Sequence, residues 1–191
     1  MRVTVLCALI SASAPVALGN KVRLGAARDA TITYTQRQNF DGSYTAYTPS
    51  GFEPLVMARQ TATEVQRILL GFDMPPEMGE GARIQRCRLL VPKPIQRPRG
   101  EYLLTAWEAG NQWEERSVSA AAQVQNGEQL GGAVVRRGHD PHDIDVTRAC
   151  QRAQAGRFSV FVDSNREAVA FYSRNSGKRS DKMFAVEVTF H

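Results

Sequence analysis

Only three cysteines, Cys7, Cys87 and Cys150, occur in the 191 residues. They are too few and too widely spaced for the disulfide framework of a small secreted scaffold, and a chain of this length buries a core without one. Long apolar runs are also missing. The most apolar stretch, Val3 to Ile10, is about half of the ~20 residues a membrane span requires, so no transmembrane helix is expected. There is no G-x-S-x-G elbow, H-E-x-x-H, C-x-x-C, P-loop or G-x-G-x-x-G. The hydrolase, zincin, zinc-ribbon, nucleotide and dinucleotide classes therefore lack their local signatures, and no cofactor is expected. Heptads, low-complexity tails and internal repeats are absent as well.

What is present begins with Met1-Arg2, an apolar segment, and small residues ending at Ala17-Leu18-Gly19. That order is the signature of a secretory signal peptide, with cleavage expected after Gly19; the competing reading is an N-terminal β-strand of the domain. Residues 20–191 then form one extracellular domain of net charge +4 containing Cys87 and Cys150. A charge this modest does not point to nucleic acid.

Beyond Asn20 the apolar residues recur at every second position, as in half-buried strands. Ile68, Leu70 and Phe72 alternate, as do Cys87, Leu89 and Val91, then Tyr102, Leu104 and Ala106. The period returns in Phe158, Val160 and Val162, in Val169 and Phe171, and in Phe184 to Phe190. Turn clusters separate these runs at the spacing of a sandwich. One short helix is expected from Val146 to Ala155, capped by Asp145 and stopped by Gly156. The segment Ser117 to Arg137 reads as a long loop with a poor strand at Ala133 to Val135. The fold expected is all-β, an antiparallel jelly-roll-like β-sandwich with one short helix.

Chemistry-bearing clusters are sparse. His139-Asp140-Pro141-His142-Asp143 offers two imidazoles and two carboxylates, but a proline-interrupted loop is where solvated polar residues collect, and no metal site is expected. Asp73, Glu114-Glu115 and Glu167 are the carboxylates that a glycosidase pair would draw on, although spacing alone does not place two of them across a cleft. Trp107 and Trp113 read as core side chains in preference to exposed platforms. Cys87 and Cys150 both point inward, which leaves two readings open: a disulfide, or two separate buried thiols. Two loops are basic. Lys93, Arg97 and Arg99 occupy one, and Arg174, Lys178, Arg179 and Lys182 the other, so an anionic polymer could meet both, with Tyr172 as a stacking aromatic.

Several segments carry a family resemblance in order along the chain. Arg67-Ile-Leu-Leu-Gly-Phe-Asp-Met-Pro-Pro, followed by Ile84 and Cys87-Arg-Leu-Leu-Val91, resembles the paired strands of the DNRLRE-type domain, also classed as carbohydrate-binding module family 96. Asp29-Ala-Thr-Ile32, Trp113-Glu-Glu-Arg-Ser-Val118, Ile144-Asp-Val-Thr147, Val169-Ala-Phe-Tyr-Ser-Arg174 and Val186-Glu-Val-Thr-Phe190 are similar to further segments of that family. Gly71 departs from it at an outward position often held by Lys or Arg, and Asn175 stands where a Glu is usual. The segment after Val118 also lacks the common T-W-N. The resemblance implies a secreted, non-catalytic jelly-roll module that binds an acidic polysaccharide such as alginate, or a cell-surface glycan. The alternative is a structural or adhesion protein of the cell surface or extracellular matrix, and a polysaccharide lyase or hydrolase comes third.

Overall fold

The structure is a computed structural model that describes residues 19–35, 45–47, 53–75, 78, 82–95, 100–115, 118, 124–136, 139, 142–153, 156–165 and 168–191. Most of the expected signal peptide, residues 1–18, lies outside the described residues, as do Arg97, Arg99, Asp140 and Glu167.

The chain forms an all-β antiparallel sandwich with one short helix. The strands are β1 (Asn20–Gly25), β2 (Arg28–Thr35), β3 (Thr45–Tyr47), β4 (Leu55–Gln60), β5 (Glu64–Asp73) and β6 (Ile84–Leu90). They continue as β7 (Tyr102–Ala109), β8 (Asn126–Val135), β9 (Ile144–Asp145), β10 (Arg157–Ser164), β11 (Val169–Tyr172) and β12 (Ala185–Phe190), with α1 (Thr147–Gln151) between β9 and β10. One sheet has the order β1-β12-β6-β9. The other runs β11-β4-β5-β10-β7-β8, with β2 beside β5 and β3 beside β2.

The period-2 pattern explains the main core. Ile68, Leu70 and Phe72 of β5 and Phe158, Val160 and Val162 of β10 face Cys87 and Leu89 of β6 and Val186 and Val188 of β12, all of them buried. Phe72 stacks on Phe158 at 5.1 Å between ring centroids, and Phe171 meets Phe184 edge-on at 4.8 Å. Removing this much aromatic and aliphatic surface from water is the main term holding the sheets together. Cys87 of β6 and Cys150 of α1 are joined by a disulfide with Cα atoms 6.4 Å apart, which ties the helix to its sheet.

Two expectations need correction. The helix spans Thr147–Gln151 rather than reaching Ala155; Asp145 Oδ1 does accept the Thr147 N–H at 2.9 Å, and Gly156 follows with φ of 71°. The segment read as a long loop with a poor strand at Ala133 to Val135 contains β8, a ten-residue strand that includes those three residues and pairs along β7. Its three glycines hide the alternation, and its first four residues, Asn126 to Gln129, are all exposed. Gly131 and Gly132 allow close backbone approach: a Cβ there would lie 3.2 Å from the Asp145 carbonyl oxygen and 3.1 Å from that of Leu104.

The inner strands are buried on both faces. Leu69 of β5 and Phe161 of β10 point away from the main core into a second one, with Ala30, Ile32, Ala109, Trp113 and Val118. Trp113, carried by the segment after β7, is the lid of this layer. Its indole N–H donates to Ser159 Oγ at 3.0 Å, and the Arg28 guanidinium lies 4.8 Å from its ring while donating to the Trp113 carbonyl at 2.7 Å. Gly71 lies beneath the pair, and a Cβ at that position would stand 3.0 Å from both Trp113 Cζ2 and Arg28 Nε. Farther along the same face Arg67 stacks over Phe161 at 4.2 Å and donates to Asp163 Oδ1 at 2.6 Å. No helix among the described residues is long and apolar enough to cross a membrane.

Candidate functional site

The candidate site grows from the pairing of β11 with β4. In that register Phe171 sits opposite Val56 and Val169 opposite Ala58, all buried, so the alternate pairs Tyr172–Leu55 and Ala170–Met57 face outward. The result is a partly exposed apolar strip. Tyr172 is half-buried within it, and the Lys178 ammonium lies 5.6 Å from its ring centroid. The loop holding Lys93 reaches the same edge, because the Ile95 N–H donates to the Ala170 carbonyl at 2.9 Å. The loop that holds Lys93 is thus tied to the strand that carries Tyr172.

The turn after β11 is held by a buried polar network. Ser173 is fully buried; its N–H donates to the Pro54 carbonyl at 3.0 Å, and its Oγ accepts the Asn175 N–H at 2.9 Å. Arg174 is fastened twice. Its backbone N–H donates to Asp29 Oδ2 at 2.7 Å, and its guanidinium Nη1 donates to Glu115 Oε2 at 2.7 Å. Asn175 Nδ2 donates to the other oxygen, Glu115 Oε1, at 2.8 Å.

Asp29 and Glu115 are both buried, and burial pushes the Asp29 carboxyl up to about 7. The Arg174 backbone N–H opposes that rise and the Glu115 charge adds to it. Asp29 Oδ1 is buried with no donor among the described residues, so the protonated carboxyl is the form its surroundings favour.

The basic residues separate once their partners are known. Arg174 is engaged by Glu115, and Arg179 pairs with Asp181 at 3.2 Å. Lys178, over Tyr172, is the cation most directly placed on the apolar strip. Arg97, expected in the same group, lies outside the described residues. The sequence did not mark Asp29 and Glu115 as anchors of the basic loop, since their partners lie 145 and 59 residues away. Leu55 and Met57 carried no signal either, because Leu55-Val56-Met57-Ala58 is apolar throughout and only the structure shows which two face outward.

The other candidates are distributed elsewhere. Trp113 is buried and Trp107 half-buried against the second core. Asp73 pairs with Arg157 at 3.4 Å and Arg28 at 3.8 Å, and Glu114 lies 4.0 Å from Arg157. His139 and His142 are exposed, Asp143 pairs with Arg88 at 3.0 Å, and no group of three metal-ligating side chains forms among the described residues. No protein-family model matches the chain, and no curated protein matches it either.

Proposed function

We propose that this protein is a secreted, non-catalytic module that binds an acidic polysaccharide such as alginate along the β11 edge. The observation that carries the reading is the half-buried Tyr172 ring with the Lys178 ammonium 5.6 Å away, on a turn pinned through Ser173 and Arg174. A pyranose ring offers C–H groups that pack on an aromatic face, and a uronate adds a carboxylate that a neighbouring ammonium can meet. Arg174 and Arg179 are held by Glu115 and Asp181, so Lys178 is the cation beside the ring that a uronate carboxylate meets. The family resemblance points the same way, and a disulfide between Cys87 and Cys150 suits an oxidising compartment.

The apolar strip favours one other reading. Leu55 is exposed beside Tyr172 with Met57 and Ala170 in line, and a protein partner of a surface or adhesion assembly would cover such a strip.

Affinity electrophoresis in gels containing alginate or a neutral glucan separates the two. Alginate should retard the protein at low salt and much less at high salt, because exposed charge pairs are screened over a Debye length of ~8 Å at physiological ionic strength. Lys178→Glu and Tyr172→Ala should each weaken retardation roughly tenfold while the melting temperature stays close to wild type. Absence of retardation at low salt would overturn the glycan reading and put the adhesion reading ahead.

A further inference from the structure

At the opposite end of the larger sheet from β11, where β7 passes into β8, lies a groove of about 730 Å³. That volume is in the range of small-ligand sites. Its walls are held by backbone and side-chain bonds: the Gly110 N–H donates to the Gln125 carbonyl at 3.0 Å, and Asn111 Nδ2 donates to the Arg157 carbonyl at 3.0 Å. Gly127 packs so closely on Glu108 that a Cβ would come within 2.9 Å of the Glu108 Cβ. Four carboxamides line the groove, from Asn111, Gln112, Gln125 and Asn126. Glu108 and Arg152 complete it as an ion pair at 3.0 Å.

We infer that this groove is a second carbohydrate site, one that takes a neutral hexose residue of a glycan. Carboxamides donate and accept hydrogen bonds at once, as sugar hydroxyls do. The Glu108–Arg152 pair presents an acceptor and a donor side by side, which suits two adjacent hydroxyls of one ring. Arg152 Nη1 also lies 3.6 Å from Glu128, so its charge is met by two carboxylates and the groove has no excess positive charge to draw a uronate, unlike the Lys178 edge. Ala109, Val124 and Gly110 supply a small apolar surface for the C–H groups of the ring. Asn111 Oδ1, enclosed at the wall, has no acceptor role with any described residue. With no aromatic ring among the described lining residues, single-sugar affinity belongs in the millimolar range.

The test is a heteronuclear NMR titration of the full domain with the methyl glycosides of glucose, galactose and mannose and with their β-linked disaccharides. At least one should produce saturable shifts in the side-chain amides of Asn111, Gln112, Gln125 and Asn126, unchanged between low and high salt. Glu108→Gln and Gln125→Ala should weaken that binding roughly tenfold. Gln125 is exposed, so its variant keeps the fold if the Glu108 variant does not. No shift of these amides with any of the sugars, or shifts that persist unchanged in Gln125→Ala, would overturn the assignment. Alginate titrated in the same series reports on Tyr172 and Lys178 separately, so either site can fail without the other.

Discussion

The carboxylate of Asp29, in the second strand, accepts the backbone N–H of Arg174 at 2.7 Å across 145 residues of sequence. This contact makes the turn carrying Lys178 part of the sandwich edge rather than a free loop. Both Asp29 and the adjacent Glu115 are buried, so the chain sets two carboxyl groups where their combined negative charge is costly.

A pH dependence follows with a definite sign. The Asp29 carboxyl rises from an ordinary value of 3.8 to about 7 on folding. Between those values the folded state holds a proton that the unfolded chain has released, so this group's contribution to stability falls as pH rises through that window. It is largest below about 4 and lost above about 7, a change of up to roughly 4 kcal/mol. Asp29→Asn imitates the protonated form: its oxygen can accept the Arg174 N–H and its amide can donate to Glu115. Denaturant unfolding from pH 4 to 8 should show the slope in wild type and a clearly flatter profile in Asp29→Asn; parallel profiles would contradict the raised Asp29 carboxyl.

Gly71→Ala should destabilise the domain by about 1–3 kcal/mol through overpacking. The new methyl would stand 3.0 Å from Trp113 Cζ2 and from Arg28 Nε, both confined by the Trp113–Ser159 and Arg28–Trp113 hydrogen bonds. Chemical denaturation gives the cost. Tryptophan emission from the native variant should shift to longer wavelength as Trp113 is lifted, and an unchanged stability with unchanged emission would show that this layer yields easily.

Peptide mapping without reduction should recover one linked pair containing Cys87 and Cys150. The bond closes a segment with a sequence separation of 63, which in the chain-entropy model is worth about 4 kcal/mol. Replacing both by Ala should lower stability by an amount of that order, read from the denaturation midpoint in non-reducing buffer. Recovery of two separate alkylated peptides would show instead two buried thiols.

The main core was legible because strand side chains alternate. Ile68, Leu70 and Phe72, and Phe158, Val160 and Val162, announce one buried face each, and that period also implied sheets rather than helices. Only the Ala133 to Val135 end of β8 was legible, because Asn126 to Gly132 is polar or glycine apart from Leu130 and has little apolar alternation to show. The basic turn could be named from composition, but its charge balance could not: Arg174 and Arg179 look equivalent in sequence, whereas one is fastened to Glu115 and the other to Asp181.

Local periodicity was enough to establish the all-β character and the residues of the central core. Tertiary structure decided the rest. Leu69 and Phe161 fall on the polar phase of that periodicity, yet both are fully buried because the segment carrying Trp113 folds back over them. Asp29, Glu115 and Arg174 meet only when the second strand, the segment after the seventh and the turn after the eleventh converge on one edge. Contacts between residues so distant in the chain leave no periodic trace, because each depends on a sheet order that local propensity does not encode.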